Sequence, residues 1–131
     1  MTAALNASEL SPNLTVNDIQ KSIKFYSDGL GMEIVHKMED EGKLQYVVLR
    51  GGSATIGIGQ DDFAKGKDRN KGVGLRIWIT TSQDIASLAA RATAAGIKLD
   101  EGPKALPWGP MAFAATDPDG FKITVCAPMT N

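Results

Sequence analysis

Two parts of this chain alternate apolar and polar residues with a period of two, and each runs directly into a stretch with helical spacing. In NLTV, Leu14 and Val16 fall on one face and Asn13 and Thr15 on the other, which predicts a half-buried strand. The residues that follow place Ile19, Ile23 and Tyr26 at helical spacing. Asn17 or Asp18 is the predicted cap, and Gly29 and Gly31 supply the stop. Three β-rich runs come next, MEIVHKM, KLQYVVLR and SATIGIG, separated by EDEG and GG, which predicts an antiparallel meander. The element order is βαβββ.

That order then recurs. VGLRIWI alternates Val73, Leu75, Ile77 and Ile79 with Gly74, Arg76 and Trp78. The next segment puts Ile85, Leu88, Ala89, Ala92 and Ala95 on one helical stripe, with Thr81 or Ser82 as cap and Gly96 as stop. IKLD, MAFAAT and FKITVCA complete the set, the last two joined by a DPDG turn. The pattern predicts one α+β domain over 1–131, built from two βαβββ modules. Module one covers about 9–60, a polar and solvated connection about 61–72, and module two about 73–128. Each sheet is expected to bury one face under its helix, while the opposite faces form a curved mixed sheet around a cleft.

Composition narrows the partners. Apolar residues make up 43% of the chain and charged residues 22%, a balance that supports a folded core and not disorder. The net charge of −1 provides no broad field for a polyphosphate backbone, so nucleic acid is not an expected partner. No apolar run reaches membrane-spanning length, so no membrane is expected. The start MTAALNASELSP lacks a signal-like pattern, and the single cysteine, Cys126, excludes an intrachain disulfide; both point to the cytoplasm.

LTVNDIQKSIKFYSDGLGMEIV together with PWGPMAFAATDPDGFKITV resembles the vicinal oxygen chelate superfamily, the glyoxalase and bleomycin-resistance proteins. The likeness runs over roughly Leu10 to Ala127. It implies paired βαβββ modules around a cavity, often in a dimer, and in metal-dependent members His, Gln or Glu ligands from strands of both modules. Carried over position by position, those ligands fall on Ser11, on Thr55 or Gly57, on Gly74, Arg76 or Trp78, and on Thr124. None of these supplies a carboxylate or an imidazole, and an arginine repels a cation. The single histidine, His36, has no companion with which to build a metal site. No metal and no cofactor is expected.

The period of two sends Ser11, Asn13 and Thr15 to the cleft side of the first strand, and Arg76 and Trp78 to the cleft side of the fifth. An arginine fork binds carboxylate or phosphate, and an indole covers an apolar or aromatic ligand. Tyr46 and Trp108 are further aromatics, the latter in a stiff LPWGP loop at the cleft mouth, while Thr124 and Cys126 share the inward face of the last strand. Thr55, Gly57 and Gly59 leave open volume on the fourth strand, to be filled by a ligand or a neighbouring strand. The expected function is binding of a small aromatic or amphipathic molecule by a homodimer. The alternatives are a lyase, isomerase or dioxygenase with an atypical or absent metal site, and a structural or partner-binding dimer. No residue is assigned a catalytic role, and turnover is left open.

Overall fold

The computed structural model describes residues 3–129, and in it the eight strands divide into two four-stranded sheets among the described residues. Strands β1 (Asn13–Val16), β2 (Glu33–Asp40), β3 (Lys43–Gly51) and β4 (Ala54–Gln60) pair in the order β1-β4-β3-β2. Strands β5 (Arg76–Thr80), β6 (Leu99–Ala105), β7 (Met111–Thr116) and β8 (Lys122–Cys126) repeat it as β5-β8-β7-β6. In each sheet the first strand runs parallel to the fourth and the remaining pairs are antiparallel. Parallel pairing needs a crossover, and each module's helix lies in it.

Helix α1 (Ile19–Ile23) is capped by Asp18, whose carboxylate accepts from Gln20 N at 3.0 Å. The chain then widens into π-type turns over Lys24–Gly29, with Leu30 N donating to Phe25 O. The wider turn lets two consecutive aromatics, Phe25 and Tyr26, enter the core together, their rings 4.8 Å apart and 73° inclined. Helix α2 (Ile85–Ala94) is capped by Asp84, not by Thr81 or Ser82, because the Asp84 carboxylate accepts from Ser87 N at 3.1 Å. Thr81 instead accepts from Gln83 N in the turn ahead of the helix. The buried stripe of α2 is Ile85, Ala89 and Ala92, with Leu88 beside it.

One hydrophobic cluster joins both modules. Leu14, Val16, Val47, Leu49, Ile56 and Ile58 come from the first sheet, Phe113, Ala115, Ile123 and Val125 from the second, and the helix residues pack among them. The period-two pattern therefore sets the outward positions of every strand, which is where the candidate site residues lie.

Two further expectations fail for identifiable reasons. Strand β5 begins at Arg76 and not at Val73, because Gly72 and Gly74 take positive φ values of 72° and 75°. Gly72 also presses on the Gly120 backbone so closely that a Cβ would overlap it. Val73 and Leu75 consequently leave the apolar face and stand 76% and 42% exposed. The connection after β4 is also not simply solvated. Asp61 is buried and accepts from Arg69 at 2.9 Å, Lys71 at 2.8 Å and Phe63 N at 2.9 Å, while Lys71 Nζ also donates to Asn17 Oδ1.

Hydrogen bonds from Lys71, Arg69 and the Phe63 amide hold the Asp61 carboxyl well below the usual carboxylate range. A group depressed in the folded state stabilises the fold above its unfolded value of 3.8 and loses that contribution as pH falls. The difference in Tm between the wild type and Asp61→Asn is therefore expected to be largest above about pH 5 and to shrink progressively as pH falls below about 4. A thermal melt series across that window tests it, and a difference independent of pH would contradict the assignment.

Candidate functional site

The outward faces of the two sheets differ. On the first sheet, the Tyr46 hydroxyl donates to Asn13 Oδ1, so the ring crosses the sheet above Gly57 and Gly59. A Cβ at Gly57 would overlap both the Tyr46 hydroxyl and Asn13 Oδ1. The volume vacated by the glycines of β4 is thus filled by a side chain of the neighbouring strand. Nearby, the Ser11 and Thr55 hydroxyls are hydrogen-bonded, and Thr55 donates to Glu9 Oε1 at 2.9 Å. On this face Asn13, Tyr46, Ser11, Thr55 and Glu9 are thus hydrogen-bonded among themselves.

The second sheet keeps a cavity of about 270 Å³ on its outward face, lined by Arg76, Trp78, Thr124, Ala112 and Ala114, with Leu106 and Pro107 above. Register explains the grouping, since Trp78 sits opposite Thr124 and Ala114 pairs with Thr124 from the other side. The loop over it is closed by Leu106 N donating to Pro110 O and Gly109 N donating to Leu106 O. Trp108, in that loop, brings its ring to 6.2 Å from that of Trp78, tilted by 46°. Both indoles are about half exposed, at 48% and 54%. Arg76 Nη1 donates to Thr124 Oγ1 at 2.8 Å, and Thr124 is only 5% exposed. On the rim, Glu101 is paired with Lys104 at 2.7 Å.

A second groove, of about 390 Å³, continues from Arg76 and Trp78 along β5 to Leu10, Pro12 and Thr55 of module one. The four positions where the sequence resemblance places metal ligands therefore gather in pairs, Ser11 with Thr55 and Arg76 with Thr124, around one junction. Three are neutral hydroxyls and one is a guanidinium, and this donor set does not fit a divalent or trivalent transition ion. Among the described residues no three His, Cys, Asp or Glu side chains form a group able to hold a metal.

Family comparison agrees with this topology. The model of the glyoxalase/bleomycin resistance protein/dioxygenase superfamily matches residues 9–125. The chain belongs to this superfamily. No curated protein matches the sequence. Among solved structures, TioX from Micromonospora sp. ML1 is similar with a TM-score of 0.77 at 16% identity, covering 94% of this chain and 100% of that one. TnmS3, described as an antibiotic binding protein from Streptomyces sp. CB03234, gives 0.71 at 22% identity over 96% of this chain and 100% of its own. A glyoxalase-related enzyme from Fulvimarina pelagi gives 0.71 at 17% identity over 93% and 89%. At these identities the likeness within the superfamily is one of fold.

Of the residues proposed from sequence, the structure brings Arg76, Trp78 and Thr124 around one cavity, with Trp108 against Trp78. Asn13, Thr15 and Tyr46 lie on the other sheet and Ser11 just ahead of its first strand, all outside that cavity. Cys126 is buried on the β8 face, 3.7 Å from Thr80 Oγ1, and does not line the cavity either. His36 is exposed on β2 opposite Val48. Sequence reasoning missed Glu9, which lies before β1 where no periodicity marks a face, and Glu101 and Lys104, hidden in a strand interrupted by bulges.

Gly57→Ala is expected to push Tyr46 off Asn13 and cost about 1 kcal/mol, the net value of one hydrogen bond. Tyr46→Phe should cost a similar amount alone and almost nothing in the Gly57→Ala background. Denaturant melts of the two single variants and the double variant measure this; additive losses would mean that the glycine serves some other contact.

Proposed function

We propose that the chain binds a planar aromatic small molecule on the outward face of module two, without metal and without turning it over. The supporting observation is the pair of half-exposed indoles, Trp78 and Trp108, standing over an alanine floor beside an arginine. Uncovered aromatic surface of this kind is costly in water. An indole half exposed presents on the order of 100 Å², and covering it contributes about 2.5 kcal/mol. The tilt between the rings leaves a wedge against which a flat ring system can lie, and the adjoining groove along β5 gives room for a larger amphipathic body. A similar fold in a protein described as antibiotic binding is in keeping with this reading. The groove's open edge of β5, with Leu10, Val73 and Leu75 exposed along it, supports a second copy of the chain as its cover. The lone buried thiol of Cys126 supports a reducing compartment such as the cytoplasm.

The site carries its own reporter, because one of the chain's 2 tryptophans lines it and the other stands against the first. Titration with a panel of bicyclic to tetracyclic aromatic compounds should quench or shift intrinsic tryptophan emission. A compound at 100 times its dissociation constant should also stabilise the fold by about 2.7 kcal/mol. Trp78→Ala and Trp108→Ala should each weaken binding at least several-fold while leaving the far-ultraviolet circular dichroism unchanged. A panel in which no compound alters either emission or melting temperature would sink the proposal.

A further inference from the structure

The polar groups of the cavity differ in kind, and the difference fixes the sign of the ligand. Arg76 uses one of its five N–H donors on Thr124 Oγ1, and among the described residues no carboxylate lies within ion-pair distance of it. Thr124 Oγ1 accepts that bond, and its own hydroxyl proton has no acceptor among the described residues although the side chain is 5% exposed. The floor around them is alanine, which offers nothing in return. The wall is indole, whose only polar group is a donor. One carboxylate reaches the lining, Glu101, and it is already paired with Lys104 at 2.7 Å. The lining thus carries a net positive charge on a chain whose formal net charge is −1.

A buried hydroxyl proton without an acceptor and a guanidinium without a counter-ion are both completed by the same ligand group. We infer that the ligand of this cavity is an aromatic acid whose carboxylate accepts hydrogen bonds from Arg76 and Thr124 while its ring lies against Trp78. The inference rests on the reading of module two as a small-molecule site. It goes beyond that reading by excluding cationic ligands and ranking acids above neutral aromatics. Glu9 belongs to the opposite bank, hydrogen-bonded to Thr55, and does not line this cavity.

Calorimetric titration with three compounds of one ring system tests it: 2-naphthoate, 2-naphthalenemethanol and 2-naphthylmethylammonium. The acid should bind about 10- to 100-fold more tightly than the alcohol, the range expected for hydrogen bonds to a charged group. The ammonium compound should bind weakest, and raising the salt concentration should weaken only the acid. In Arg76→Met the ratio of acid to alcohol affinity should fall to about one. In Arg76→Lys, which keeps the charge and loses the planar fork, it should be intermediate. Equal affinities for acid and alcohol in the wild type, or a preference for the ammonium compound, would overturn the inference while leaving aromatic binding intact. Absence of binding by all three, with tryptophan emission unmoved across the broader aromatic panel, would overturn both. The wild-type ranking decides the matter even if an Arg76 variant fails to fold.

Discussion

The arrangement depends on one buried carboxylate. Asp117, 4% exposed, accepts from Asp119 N and Phe121 N with one oxygen, closing the DPDG turn, and from the Tyr26 hydroxyl at 2.7 Å with the other. A carboxylate withdrawn from water to this degree is destabilising unless its lone pairs are met, and here three donors meet them. Burial nevertheless pushes the Asp117 carboxyl above its ordinary range. Burial first, and the adjacent Asp117 charge second, push the Tyr26 phenol far up, so the tyrosine stays a donor. Because Tyr26 comes from module one and the turn from module two, this hydrogen bond fixes one module on the other. The same turn meets module one once more, where Asp119 Oδ1 accepts from Asn17 N at 2.8 Å, and Gly120 packs on Gly72 of the connection. Strand β8 starts directly from that turn, so its register, and with it the position of Thr124 beside Arg76, is set at the junction.

The sequence pattern made the frame legible and left the contents of the two faces obscure. Alternation at Leu14 and Val16, and helical spacing at Ile85, Ala89 and Ala92, mark which side of each element is buried. By exclusion they mark Arg76, Trp78 and Thr124 as facing the other way. The same rule placed Ser11, Asn13 and Thr15 on such a face, but period-two reasoning does not say what an outward side chain touches. Gly57 is the instructive position. Its small size reads equally well as ligand space or as room for a neighbour, and only the cross-strand reach of Tyr46 decides between them. The connection after β4 misled for a related reason. Its polar composition describes a solvated loop and also an internally neutralised cluster such as Asp61 with Arg69 and Lys71, because composition carries no information about pairing.

The two modules repeat one topology yet have opposite polar chemistry on the outward face. Module one spends its outward groups on one another: tyrosine on asparagine, serine on threonine, threonine on glutamate. Module two leaves donors unmatched and aromatic surface uncovered. A glycine under the tyrosine permits the first state, and a small-residue floor of Ala112 and Ala114 under a bridging loop permits the second. Repetition of the topology thus sets the number of faces, and a few residue choices set which one keeps open volume beside its polar groups.

The groups around the open face also bear on what can be done to a bound molecule. General acid–base chemistry needs a group that exchanges protons near neutral pH within hydrogen-bond reach of the substrate. Guanidinium, indole and hydroxyl are poor at this, and they are what the cavity presents. Of the other polar groups, His36 lies on an exposed edge strand of the other module, Cys126 is buried against Thr80, and Glu101, in the lining, is tied to Lys104. Lewis-acid chemistry needs several anionic or imidazole ligands converging on one point, and at the junction a single carboxylate, Glu9, stands among hydroxyls and an arginine. The proposed role of holding a ligand draws instead on strand register, which sets Arg76, Trp78 and Thr124 side by side on one face.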